Sequence, residues 1–257
     1  MLTTAQITSY VGSFMWVLIR VSALVASAPV ISSNSIPIKT KMGIAIAITL
    51  IIVPIIPPVP TVEPFSAVAL LIVVHQILIG LAMGLALQMV FTMFVVGGQV
   101  IAYQMGLGFS QMVDPTSGTT VPVVSQFYII VITLMFFTLN GHLAMIGVLV
   151  DSFQILPIAP KGISNNGIWS LLSWGAHMYA GGVQIALPAI ASILLINLTF
   201  AVVTRSAPQF NIFSIGFPIT IVVGFFIIMA TLSTVIPHFE RQLVAAFTLT
   251  RNMLGAP

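Results

Sequence analysis

The run IFSIGFPITIVVGFFIIMATLSTVI, residues 212–236, decides the fold class: it is apolar on every face of a helix and carries no charge along its whole length. A helix rises about 1.5 Å per residue, so about 20 such residues cross the hydrocarbon of a bilayer. Gly43 to Ile56 reads the same way. A transmembrane barrel would show short segments alternating apolar and polar, and nothing here alternates. The composition agrees: 59% of the 257 residues are hydrophobic and 4% are charged, with a mean hydropathy of +1.18. Soluble chains carry about 25% charged residues, so water is not the main solvent of this one.

Proline, glycine and charge clusters punctuate the remainder into six hydrophobic helical segments, near 8–30, 40–56, 65–104, 121–150, 168–203 and 212–236, with a polar tail from 237. Pro54, Pro57, Pro58, Pro60 and Pro64 stop the second segment; Pro157, Pro160 and Gly162 stop the fourth. The third and fifth exceed one perpendicular span, so each is expected to kink, split or continue beyond the bilayer. Between the third and fourth, Met105 to Gly118 mixes glycines, hydroxyls and large apolar residues, neither a good helix nor an ordinary polar loop. No basic residue precedes Arg20, so the charged start of a cleavable signal peptide is missing and the first segment is expected to stay. Lys39 and Lys41 mark one inner loop, but the other basic residues divide so evenly that orientation stays open.

The chemistry-bearing residues do not assemble into an enzyme. Without cysteine there is no disulfide, thiolate site or Cys nucleophile. The net charge of +3 comes from scattered residues, not the clustered Lys and Arg that a nucleic acid needs. His75, His142, His177 and His238 are dispersed, and no Ser-His-Asp arrangement can be named, so no catalytic residue, metal or cofactor is expected. An intramembrane charge costs roughly 2.5–3.5 kcal/mol on insertion scales, so Arg20 must face protein. It either lines a substrate or proton path or, the reading favoured here, pairs or caps carbonyls between subunits. Asp151 suits an interfacial helix end, and Arg205 the C-terminal dipole of a long helix. The GxxxG pair Gly80 and Gly84, with Gly97-Gly98 and Gly181-Gly182, offers smooth patches for close helix packing, within the chain or against another subunit. Met89, Met93, Met105 and Met112 flank or occupy the Gly-rich loop, as a core or as a deformable gasket.

Several motifs carry a resemblance: Arg20-Val21-x-Ala23-Leu24 with Ala28-Pro29, Gln76-Ile77-Leu78-Ile79-Gly80, Gln104-Met105-Gly106-Leu107 with Val113-Asp114-Pro115, Asn140-Gly141-His142-Leu143, and Arg205-x-Ala207-Pro208-Gln209 leading into Ile215-Gly216-Phe217-Pro218. From about residue 16 to about residue 224 the chain resembles the FliR/SctT family of type III secretion export-gate subunits. The resemblance implies an all-α membrane subunit, a FliP-like part over 1–166 followed by a FliQ-like hairpin and tail over 167–257, within a helical hetero-oligomer. The implied setting is the flagellar basal body in the bacterial inner membrane. The implied partners are FliP, FliQ, FlhB and FlhA, with unfolded exported proteins in transit.

Carried over, the family's plug falls on 105–120, with Met105, Gly106, Gly108, Phe109, Met112, Asp114 and Pro115 as its residues. Arg20, Gly80, Gly84, Gly97, Gly98, Arg205 and Pro208 fall to subunit or helix packing. Gln99 stands where the family often has Glu, so no carboxylate role is assigned there. Three other readings stay open: the homologous injectisome subunit, a small-solute secondary transporter, and a membrane scaffold without a conduit.

Overall fold

The computed structural model describes residues 4–57, 59, 62–63, 66–108, 110–113, 118, 120–206 and 212–255. Among them are seven helices and one small hairpin: α1 Thr4–Ser27, α2 Ile38–Ile52, α3 Ala67–Gln104, β1 Gln111–Val113, β2 Thr120–Pro122, α4 Val123–Thr138, α5 Gly141–Ile155, α6 Asn165–Ser206 and α7 Ile212–Leu254. Three of these, in α3, α6 and α7, are long and apolar enough to cross a membrane, and the count rises to four if α4 and α5 are taken as one broken span. The chain is a predominantly helical membrane protein.

Two expectations change. The fourth segment is two helices, because Asn140 adopts the left-handed conformation (φ 54°) and interrupts the apolar run. Asn visits that region at low cost. The polar tail from 237 is not a separate segment but the end of the sixth: α7 continues to Leu254, with Phe239, Leu243, Ala246, Thr250 and Met253 buried at the spacing of one helical face. The stretch after α3, read as neither helix nor ordinary loop, contains short antiparallel strands in the register Gln111↔Pro122, Met112↔Val121 and Val113↔Thr120 within an otherwise helical fold. The long third and fifth segments do not split. α3 runs unbroken for 38 residues, about 57 Å at 1.5 Å per residue, and α6 runs for 42 with Pro188 inside it.

The chain forms two compact units, each discontinuous in sequence. One gathers Met1–Met89, Asn140–Gly175 and Leu243–Pro257; the other gathers Val90–Leu139 and Ala176–Gln242. In the first, α3 packs on α1 through its GxxxG pair: a Cβ at Gly80 would collide with the Arg20 carbonyl oxygen and lie 2.7 Å from the Ala23 Cβ, and one at Gly84 would lie 2.9 Å from the Ala28 nitrogen. Only hydrogen at these positions lets the backbones approach so closely. In the second, Phe91 and Phe94 of α3 stack edge to face on Phe239 of α7 at 5.8 and 5.6 Å, and Phe91 also on Phe136 of α4 at 5.6 Å. Such rings carry much of a core's burial.

Candidate functional site

The segment between α3 and α4 lies in the second unit, and its exit from α3 is built by one glycine. Gly106 has φ +77°. Its N–H donates to the Tyr103 carbonyl at 3.1 Å, and the Leu107 N–H donates to the Ala102 carbonyl at 2.8 Å. This pair of bonds, around a left-handed residue, is the Schellman stop that ends helices at glycine. A side chain is doubly excluded at Gly106, since a Cβ would also lie 2.9 Å from the Phe217 Cδ2. Met105, just before it, is fully buried and passes α7 at Gly224, where a Cβ would sit 2.6 Å from the Met105 Sδ. Beyond the turn, the Ser110 N–H donates to the Leu107 carbonyl and the Val123 N–H to the Ser110 carbonyl, closing the base of the hairpin. Met112 is 48% exposed while its cross-strand partner Val121 is buried.

The stems of this loop are clamped by the next glycine pair. A Cβ at Gly98 would lie 2.7 Å from the Ser125 Cα, in the first turn of α4, and the Ser125 hydroxyl donates to the Val95 carbonyl at 3.0 Å. Gly97 faces the other way, 3.0 Å from the Gly182 carbonyl oxygen and 3.1 Å from the Ile185 Cβ of α6 by the same measure. Adjacent glycines thus admit α4 and α6 to the same turn of α3, and the two glycine pairs of the sequence, 97-98 and 181-182, meet there.

Arg20 occupies a separate junction in the first unit. It is completely buried. Its Nε donates to the Gln76 Oε1 of α3 at 2.7 Å. Its two terminal nitrogens donate to the C-terminal end of α5 and the residue that caps it: to the Ser152 carbonyl at 2.9 Å and hydroxyl at 3.1 Å, and to the Leu156 carbonyl at 2.9 Å. The guanidinium lies 4.2 Å from the Phe153 ring centroid. All these acceptors are neutral and belong to the same chain. Arg20 is therefore a carbonyl cap on the last turn of α5, where the helix dipole favours a cation, and these bonds join three helices of the same chain.

Of the remaining residues expected at the site, Gly108 lies within the described loop, where a Cβ would meet the Tyr103 ring at 2.6 Å. Arg205 is exposed in the last turn of α6. Phe109, Asp114, Pro115 and Pro208 lie outside the described residues. Asp151 forms an exposed ion pair with Arg251 at 2.8 Å. Sequence reasoning missed Ser152, Leu156, Ser125, Phe217 and Gly224. Small or ordinary apolar residues become specific only through what packs against them. Among the described residues no group of three or more metal-ligating side chains comes together.

The profile of the bacterial export proteins, family 1, matches residues 11–246. The chain belongs to that family. Within family 1 it is similar along nearly its whole length to proteins named flagellar biosynthetic protein FliR. The one from Escherichia coli (strain K12) is 37% identical over 253 residues, covering 98% of this chain and 97% of its own. That of Pectobacterium carotovorum subsp. carotovorum is 36% identical, covering 97% and 95%. The Bacillus subtilis (strain 168) relative is 26% identical, covering 95% of each. The FliR/SctT resemblance carried by the motifs above is thus shown for this export family member.

Proposed function

We propose that this export protein is a core subunit of the flagellar type III export gate in the bacterial inner membrane, and that its loop over 105–120 plugs the conduit through which unfolded flagellar proteins pass. The observation that carries the reading is end-to-end similarity to proteins named for flagellar biosynthesis; the same name favours a flagellar over an injectisome system. Plugging is supported by the loop's construction. A glycine stop and a glycine-clamped stem hold a short hairpin bearing a half-exposed methionine, a flexible side chain suited to close an opening and yield to a passing chain.

In this reading the chain gates and does no chemistry, and residues 1–166 and 167–257 act as its FliP-like part and FliQ-like hairpin. FliP, FliQ, FlhB and FlhA are its partners. Coexpression with FliP-like and FliQ-like neighbours, mild-detergent purification and native mass spectrometry test it. One copy of this chain in a defined hetero-oligomer is expected; a stable monomer or homodimer indifferent to those neighbours sinks the reading and returns the solute-transporter alternative to first place.

A further inference from the structure

In the second unit, α6 and α7 border an open crevice of about 150 Å³, lined by Gln184, Ile185 and Pro188 of α6 and by Thr231, Thr234, Val235, His238 and Arg241 of α7. One water needs roughly 10–15 Å³ of such volume, so there is room for a larger polar group. Gln184, Thr234 and Arg241 are exposed there, whereas Thr231 and His238 are half-buried.

The lining divides by chemistry. Pro188 has no N–H, so the Gln184 carbonyl loses its helical donor. Thr231 and Thr234 donate their hydroxyls to their own helix, at 2.8 Å to the Ile227 carbonyl and 2.7 Å to the Thr231 carbonyl, which leaves their oxygens as acceptors. His238 Nε2 is buried without a hydrogen-bond partner. Arg241 donates its Nε to the Pro237 carbonyl at 3.2 Å, leaving its terminal N–H groups for a guest. Acceptors at one end and a cation at the other do not suit a bare acceptor-only anion. They suit a group that is anionic at one end and carries hydroxyl donors at the other.

The same helices carry exposed apolar side chains, among them Leu195, Leu198 and Val202 of α6 and Phe226 and Met229 of α7. From Pro188 to Val202 the helix rises about 21 Å, more than the roughly 15 Å of half a bilayer's hydrocarbon. Charge complementarity and this length together specify the guest. We propose that the crevice is a headgroup site for an anionic glycerophospholipid of the phosphatidylglycerol type. The phosphate sits on Arg241, the glycerol hydroxyls donate to the Gln184 carbonyl and the threonine oxygens, and the acyl chains lie along the exposed apolar flank.

Native mass spectrometry of the full chain in detergent, loaded with phosphatidylglycerol or phosphatidylcholine, tests the site. One phosphatidylglycerol should persist at collision energies that strip phosphatidylcholine. Arg241→Gln should cut that retained species several-fold, Arg241→Lys should keep most of it, and Arg251→Gln, which removes the same charge elsewhere, should leave it unchanged. Circular dichroism guards against misfolding, and Thr234→Val, which deletes one acceptor and little volume, provides a second, milder loss. Four outcomes would each overturn the proposal. Phosphatidylcholine could be retained as well as phosphatidylglycerol, or Arg241→Gln could keep its lipid. Inorganic phosphate could displace the lipid, marking a bare anion site, or the lipid could vanish on assembly with partner subunits, marking a protein contact.

Discussion

A buried arginine with neutral partners is a wager on geometry. Among the described residues Arg20 meets no opposing charge, and its burial is offset by charge-assisted hydrogen bonds and by the C-terminal dipole of α5. Replacing Arg20 by Met keeps the bulk but strips donors from Gln76 and from two helix-end carbonyls, and should cost about 2–4 kcal/mol. Gln76→Leu leaves the other bonds intact and should cost less, about 1–3 kcal/mol. Thermal unfolding of the purified chain checks the order; equal losses, or an Arg20→Met protein as stable as the parent, would show that the fork of bonds contributes nothing. The sequence announced that Arg20 needed a partner but not which one, because its strongest contacts are main-chain carbonyls, and every residue has one. Gly106→Ala is a second residue-scale case. The left-handed φ costs a non-glycine residue roughly 1–2 kcal/mol, and the Phe217 ring must also yield, so unfolding should move to lower temperature by more than strain alone explains.

At the scale of helices, the glycines separate into those that admit a neighbour and those that do not. Gly98 abuts Ser125 backbone, whereas Gly43 in α2 and Gly147 in α5 meet nothing within 4 Å. Gly98→Ala should therefore push α4 off α3 and destabilise by about 1–3 kcal/mol. Gly147→Ala, on an exposed helix face, should stabilise by about 0.4–1 kcal/mol through propensity and unfolded-state entropy. Opposite signs for one chemical change, read by thermal unfolding, are the expected result; matching signs would mean that the close approach at Gly98 is not structural.

The same scale shows what the sequence could and could not convey. Runs of apolar residues sufficed to place α2, α3 and α6 because length and hydropathy are local. The break at Asn140 was open to reading, since Asn-Gly inside an apolar run marks a turn, but the surrounding hydrophobicity masked it. The continuation of α7 past Pro237 was also encoded, in the buried spacing of Phe239, Leu243, Ala246, Thr250 and Met253. Pro237 and the charges at Glu240 and Arg241 interrupt the apolar run and obscure that period. The hairpin at 111–122 could not be read, because three-residue strands carry too little periodicity.

Across the whole molecule, burial is uneven. The most apolar window of α3 is 44% buried within the chain, against 17% for α6 and 22% for α7. Helices so apolar and so uncovered must be covered by lipid or by other subunits, which suits a chain that completes itself in an assembly. The proposed gate belongs to that scale, because a plug has meaning only where a conduit exists. Replacing residues 107–120 by a short glycine-serine linker removes the hairpin while leaving the Gly98–Ser125 clamp and the Arg20 junction in place. In the complete hetero-oligomer, reconstituted in a planar bilayer, this change should convert a silent assembly into an ion-conducting one. Met112→Ser, which removes one half-exposed side chain and leaves the strand pairing intact, should give a smaller leak. The isolated chain, with or without its loop, should conduct nothing. If native mass spectrometry shows the loop-replaced complex fully assembled and it still passes no current, the loop does not plug the conduit, and the chain's place in the assembly is that of a scaffold.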